Sequence, residues 1–277
     1  RSVSAPGMTG HRAPAAVRAA AGHFGAVAGE HGADSYRKFL DCWTEWKGGT
    51  AVGYWRCMCG IAGVAGWPDL GPEQMRATAA RMVASMIHRG PDEQAAAAFP
   101  EAGIALGAAR LALVDVEHGS QPMASADGQV WAVLNGEIYN YRELGAQLRA
   151  RGRRFRTASD TEMLLHLYEE SGEEMFAQLD GMYAAAVVDL RRRRVLLGRD
   201  HAGMKPLFYL ERGGGLAFAS DVRALLAGGL AEREADGEQL GLYLELGYIP
   251  APGGAFAGVR KLLPGCHLGW EGGGRGV

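Results

Sequence analysis

The sequence predicts an α+β protein in which antiparallel sheets carry helices on their outer faces. Two observations predict it. Strand-like runs come in pairs joined by short turns, AAAVVDL with RVLLGRD and LFYL with LAFAS, which is hairpin spacing. Helical periodicities fall between groups of strands instead of alternating with single strands, which argues against a parallel βαβ order.

The elements follow in order. CGIAGV, from Cys59, reads as a short buried strand. Met75, Ala79, Met82, Val83 and Met86 recur at helical spacing, so 74–86 reads as an amphipathic helix whose methionines fill core. HRGPDEQ (88–94) reads as a loop, and IALGAARLALVD (104–115) and VWAVLN (130–135) as strands. YRELGAQLRARG (141–152) is helical and closed by Gly152. Ser159 and Glu162 of SDTE have capping-box spacing and open a helix to about Ser171. The first hairpin turns at Arg191 to Arg193 and the second around the glycines 213–215. Helices near 221–227 and 237–246 complete the pattern.

The 277 residues are 48% hydrophobic with a formal net charge of −2. That suffices for one large domain or two small ones, and gives no bulk attraction to nucleic acid or an anionic membrane. No apolar run approaches the roughly 20 residues of a membrane helix. Four cysteines (Cys42, Cys57, Cys59, Cys266) make no disulfide framework, so a reducing, cytoplasmic setting is expected. Residues 1–57 are rich in Ala, Gly and Arg, with no acidic residue before Glu30. A transit peptide is one reading. Without a clear amphipathic face, the reading adopted is a low-complexity or disordered leader, or upstream sequence that the mature protein does not carry. The glycines of EGGGRGV read as a truncation or a linker. RARGRRFR (149–156) and RRRR (191–194) lie at a helix end and a hairpin turn. Solvated charge is ordinary there, so no nucleic-acid surface is inferred.

Met58-Cys59 is where chemistry enters. If Met58 is the initiator and is removed, Cys59 carries its thiol and a free α-amine on one residue. Their reference pKa values are about 8.5 and about 7.7–8.0, so near neutrality the amine is partly unprotonated. It can then take the thiol proton, directly or through one water, and return it to a leaving group. With residues 1–58 attached, that nitrogen is an amide without usable basicity. The ordinary alternative is a buried structural thiol. CMC suggests a metal pair only if a second ligand cluster exists at suitable spacing, and none does, so no metal is expected. His166 and His267 read as incidental. Arg110 either snorkels to solvent or clamps a carboxylate bidentately. Asn135-Gly136 reads as a turn, or as an oxyanion hole made by the Asn135 amide and the Gly136 N–H. Asp160 suits the first turn of a helix on dipole grounds, and could equally hold a substrate ammonium. Spacing alone favours the structural role for each.

Nine stretches together carry a resemblance. They are MCGIAGV (58–64), HRGPD (88–92), RLALVD (110–115), LNGEIYNYREL (134–144), SDTE (159–162), GMYAAAVVD (181–189), GRDHAGMKPLFY (198–209), FASDVRALL (218–226) and GYIPAPGGAFAGVRKLLPG (247–265). In this order they resemble the glutaminase domain of class II glutamine amidotransferases, most closely that of the glutamine-hydrolysing asparagine synthetases. The resemblance implies a four-layer αββα sandwich of two antiparallel sheets, the N-terminal-nucleophile hydrolase fold, with the nucleophile on an inner strand. It divides the chain into a leader (1–57), an amidotransferase domain (58–246) and a linker toward a synthetase domain (247–277). By position it implies that Cys59 attacks the side-chain amide of glutamine, forming a thioester, while its α-amine shuttles protons. Asn135 and Gly136 would hold the oxyanion, Arg110 the α-carboxylate, and Glu137 with Asp160 the α-ammonium.

The activity so implied is hydrolysis of glutamine to glutamate and ammonia, as the glutaminase half of an enzyme that amidates aspartate with ATP. The alternatives are the same domain serving another acceptor, or a catalytically dead interaction module. The sequence departs from the family in the 58 residues before Cys59 and in the small residues of GMYAAAVVD, which suggest looser packing. It also lacks the Ser-Gly-Gly-x-Asp-Ser pyrophosphate loop. No cofactor is therefore expected for the glutaminase step, and ATP and Mg only with the missing synthetase domain. The expected partners are glutamine, that synthetase domain and a second copy as a homodimer, with no nucleic acid and no membrane.

Overall fold

Alternation along the strand β1 (Gly60–Ala65) sets the architecture. Ile61 and Ala65 face one way, into a cluster with Leu106, Val133, Ala186, Leu197 and Phe218. Ala62 and Val64 face the other way, against Met75, Ala79, Met82 and Val83. A strand buried on both faces needs a layer on each side. The computed structural model describes residues 58–272 and 275–276; the leader expected over 1–57, with Cys42 and Cys57, lies outside them.

After β1 come α1 (Pro72–Ala84), β2 (Glu93–Phe99), β3 (Ile104–Arg110), β4 (Met123–Ala124) and β5 (Val130–Ile138). Two helices follow, α2 (Tyr141–Ala150) and α3 (Asp160–Ser171), and then β6 (Gly181–Asp189) and β7 (Arg194–Arg199). The rest is β8 (Phe208–Arg212), β9 (Gly215–Ala219), α4 (Val222–Ala227), α5 (Gly237–Leu246), β10 (Arg260–Lys261), β11 (His267–Glu271) and β12 (Arg275–Gly276). One sheet has the order β10-β8-β9-β1-β3-β2 and the other β12-β11-β7-β6-β5-β4. Every pairing is antiparallel. The inner faces pack on each other, α1 and α4 cover the first sheet, and α2 and α3 cover the second. This is the expected αββα sandwich. The small residues Ala184, Ala185 and Ala186 of β6 are wholly buried in it.

Several local expectations are corrected. EQAAAAF, passed over as a loop and its continuation, is β2; its alanines have little strand propensity, and pairing with β3 overrides that. The run 104–115 leaves the sheet at Arg110. Asn135-Gly136 is no turn, but lies inside β5 opposite Ala184 and Tyr183. Ser159 does cap α3, accepting from Thr161 N at 3.2 Å. Glu162 does not close the box. It accepts instead from the backbone of Arg156 (2.9 Å) and Thr157 (2.6 Å), because the chain before Ser159 folds back over it.

The segment 247–277, expected as a linker, supplies strands to both sheets. β10 extends the first beside β8 and β11 extends the second beside β7. Trp270 of β11 is 4% exposed in the inter-sheet core, with its Nε1 donating to Gly214 O at 2.7 Å. Trp270→Ala should therefore destabilise the protein by about 3–5 kcal/mol, a large fraction of a domain's stability. Urea unfolding of the variant beside the wild type measures it, and an unchanged midpoint would place β11 outside the cooperative fold.

Candidate active site

Cys59 stands at the mouth of β1, which lies between β9 and β3. Its Sγ accepts from Leu111 N (3.3 Å) and donates to Leu111 O (3.6 Å), so the thiol is turned toward the end of β3. Its carbonyl accepts from Arg89 Nε at 3.1 Å. Arg89 is 1% exposed, and the HRGPD loop that carries it runs hard against β3. A Cβ on Gly90 would stand 2.1 Å from Ala109 O, so only glycine allows that approach. Burial pushes the Cys59 thiol above its ordinary pKa, while the Leu111 hydrogen bond and the charge of Arg110 pull it back. A thiol in that state is a poor nucleophile near neutrality and needs a base.

Opposite β1, β5 presents Asn135, Gly136 and Glu137. Val133 belongs to the inter-sheet core, and strand alternation puts Asn135 and Glu137 on its face. Asn135 is fully buried, with Nδ2 donating to Ser220 Oγ at 3.2 Å. Gly136 has φ +137°, and a Cβ there would stand 2.0 Å from Met182 O, so this backbone tolerates no side chain. The end of β5 meets the start of α3, where Ile138 N donates to Asp160 Oδ2 at 3.3 Å.

Glu137, partly buried, and Asp160, 5% exposed, form an acidic pair. Burial, reinforced by the charge of Asp160, pushes the Glu137 carboxyl up to about 7. Burial likewise pushes Asp160 up to about 6, against hydrogen bonds from the Ile138 and Thr161 backbone. Among the described residues no cation lies within ion-pair distance of either. Lys205, 7% exposed, is within electrostatic reach of both Glu137 and Cys59, and its Nζ lies 3.0 Å from Met58 Sδ. Burial lowers its pKa, and the charge of Glu137 opposes the fall. The GRDHAGMK stretch exists to hold it. Asp200 accepts from the backbone of Tyr183 (3.2 Å), Ala202 (3.1 Å), Met204 (2.8 Å) and Lys205 (3.1 Å), and Arg199 donates to the carbonyls of Gly203 (2.7 Å) and Lys205 (2.8 Å).

Arg110 is placed at the same end of β3, but its guanidinium is already engaged. Nη1 donates to Glu93 Oε2 (3.3 Å) and Val116 O (3.2 Å), and Nη2 to Val114 O (3.1 Å) and Asp115 O (2.7 Å). It neither snorkels nor projects freely, and at 4% exposure it anchors the loop that follows β3. The sequence reading missed Arg89, Lys205 and Ser220. Each lay inside a matched stretch, and that position was the available signal. His166 and His267 stay outside this group, His166 packing on the Phe155 ring and His267 on Phe176. No group of three or more His, Cys, Asp or Glu among the described residues is placed to hold a metal ion.

The raised carboxyl of Glu137 has a consequence for stability. Its folded pKa of about 7 lies above the unfolded value of about 4.3, so between those values the folded state holds the extra proton. Stability contributed by the protonated form is complete below about pH 4.3 and is lost as pH rises through 7. Glu137→Gln should therefore raise stability at pH 8 by about 1–3 kcal/mol and leave it unchanged at pH 4. Denaturant melts at the two pH values test this, and equal shifts at both would show that Glu137 is not held in its protonated form.

Comparison with known proteins bears on the whole domain. A family model described as "Glutamine amidotransferase domain" matches residues 58–276. Asparagine synthetase [glutamine-hydrolyzing] 3 of Bacillus subtilis is 38% identical over 212 residues, covering 75% of this chain and 34% of the relative. Asparagine synthetase [glutamine-hydrolyzing] 1 of the same organism is 37% identical over 213 residues, with 76% and 33% covered. Asparagine synthetase [glutamine-hydrolyzing] 2 of Oryza sativa is 39% identical over 170 residues, with 61% and 28% covered. The chain thus spans about a third of the length of these curated relatives. A solved structure described as "Structure of the allosteric regulatory enzyme of purine biosynthesis" has the same fold, with a TM-score of 0.54 at 21% identity over 76% of this chain and 46% of its own. With that family model matched over residues 58–276, the chain belongs to the glutamine amidotransferase domain family.

Proposed function

We propose that this domain hydrolyses glutamine to glutamate and ammonia once Cys59 bears a free α-amine, and that it is the glutaminase part of a glutamine-hydrolysing asparagine synthetase. The observation that carries the reading is the acidic pair. Glu137 and Asp160 lie beside a thiol without a cation at ion-pair distance, and the α-ammonium of a free amino acid supplies the missing charge.

In the proposed reaction the α-amine of Cys59 takes the Sγ proton and Sγ adds to the side-chain carbonyl carbon of glutamine. Asn135 Nδ2 and Gly136 N–H receive the oxyanion, a contribution worth about 2.7–4 kcal/mol per donor. The protonated amine returns its proton to the departing nitrogen, so ammonia leaves and a glutamyl thioester remains. Water, deprotonated by the same amine, then adds to the thioester, and the sulfur departs with its proton restored. Arg110 supplies the positive charge that draws the α-carboxylate, beside the loop it anchors. ATP-dependent amidation of aspartate is assigned to the part of the relatives that this chain does not span. Helix α5 supports docking of such a domain, because Leu240, Tyr243, Leu244 and Leu246 are all exposed on it and Tyr248 follows.

A site-specific protease sequence inserted between Met58 and Cys59 of the full chain tests the reading. The cleaved protein should release glutamate from glutamine, and the uncleaved protein should not. Cleaved Cys59→Ala should fall by about 1,000-fold or more. Equal rates before and after cleavage, or no hydrolysis after it, would reject the mechanism.

The KM for glutamine should rise as pH falls below about 7, because Glu137 and then Asp160 take up protons and no longer hold the ammonium. Steady-state kinetics of the cleaved chain between pH 5.5 and 8.5, a range of about 3 units chosen around those values, checks it. A pH-independent KM would remove the acidic pair from substrate binding.

A further inference from the structure

We propose that Ser220 is a positioning residue for the oxyanion hole: its hydroxyl oxygen takes one Nδ2 hydrogen of Asn135 and so holds the amide with the second hydrogen free for the developing charge. The inference rests on the glutaminase reading above and deepens it.

Three contacts point to Ser220. Its Oγ accepts from Ile61 N at 3.1 Å, and its own N donates to Ile61 O at 2.8 Å. The residue is thereby pinned to β1, two positions from Cys59. Its Oγ also lies 3.2 Å from Asn135 Nδ2, on β5 of the other sheet. Ser220 is 1% exposed and Asn135 is fully buried. One hydroxyl therefore joins the nucleophile strand to the oxyanion strand.

The hydrogen bonds at that hydroxyl fix the amide. A serine oxygen has two lone pairs, and Ser220 Oγ takes one donor from Ile61 N and one from Asn135 Nδ2. An amide nitrogen carries two hydrogens, so the second Nδ2 hydrogen is left for another acceptor. An oxyanion is such an acceptor, and a donor held in place beforehand stabilises it without reorganisation at the moment of reaction.

The test uses the full chain cleaved before Cys59. Ser220→Ala removes the hydroxyl but keeps the backbone bond to Ile61. It should lower kcat by about 10- to 100-fold, less than deletion of a donor, with the KM for glutamine changed less than about 3-fold. In an Asn135→Ala background the same substitution should cost less than about 3-fold, because there is no amide left to orient. Equal losses in both backgrounds, an effect on KM alone, or an unchanged kcat would overturn the inference. Should Ser220→Ala fail to fold by thermal melt, Ser220→Cys, similar in size with a weaker acceptor, should lose about 10-fold in kcat, and wild-type activity there would overturn it. Cleaved wild type that releases no glutamate overturns the glutaminase reading and this inference with it. An active wild type indifferent to Ser220 overturns the inference alone.

Discussion

Arg89, Asp160 and Lys205 are each no more than 7% exposed, and they crowd with Glu137 around one thiol. Removing a charge from water costs several kcal/mol unless partners replace the lost hydration. The chain supplies those partners from backbone as much as from opposite charge. Arg89 finds the Cys59 carbonyl, Asp160 the Ile138 amide and Asp200 a ring of four amides. Backbone donors and acceptors are fixed by the sheets, so the charges they hold are fixed as well. This is why Asp160 meets the last residue of β5 and Asp200 follows β7 directly. A strand end offers amides and carbonyls that the ladder no longer uses, in positions the ladder still determines.

The two sheets must approach closely for this to work, and the composition of their inner faces allows it. Ala108, Ala184 and Ala186 share the inter-sheet core with Phe218, Leu106 and Trp270, so small and large side chains interdigitate instead of colliding. Trp270 belongs to β11, so the tail of the domain joins the same core at the far edge of its sheet.

Much of this was legible in the sequence, and the exceptions have physical causes. The hairpins β6–β7 and β8–β9, the helix α1 and the helix α5 follow from local periodicity, and the structure has them. β2 was hidden because alanine says little about strand pairing, and β11 because its five residues become a strand only beside β7. Cys59, Asn135, Gly136, Glu137, Asp160 and Arg110 were legible by chemical type within their motifs, and the fold gathers them at the adjoining ends of β1, β3, β5 and α3. Ser220 and Lys205 were not, because a serine after a strand and a lysine before a proline acquire meaning only from partners 85 and 147 residues away. The same reason hid the true work of Glu162, which looked like half of a cap and is instead the anchor of the turn before α3.

That turn explains how the two ends of a substrate would be read together. Arg110 grips the carbonyl of Asp115 at 2.7 Å, and the carboxylate of Asp115 accepts from Ala158 N at 2.8 Å. Ala158 leads through the cap residue Ser159 directly to Asp160. A continuous line of hydrogen bonds and peptide units thus runs from the residue proposed for the α-carboxylate to one proposed for the α-ammonium. Glu162 steadies the same turn through Arg156 and Thr157. A ligand that engages only one end cannot settle that line from both sides. A glutamine residue within a peptide lacks the free α-ammonium, so it would leave Glu137 and Asp160 with their mutual repulsion and no cation between them. A buried charge without a partner costs several kcal/mol. The proposed preference for a free amino acid resides less in any one contact than in Asp115, which makes the spacing between the two charges a property of the fold.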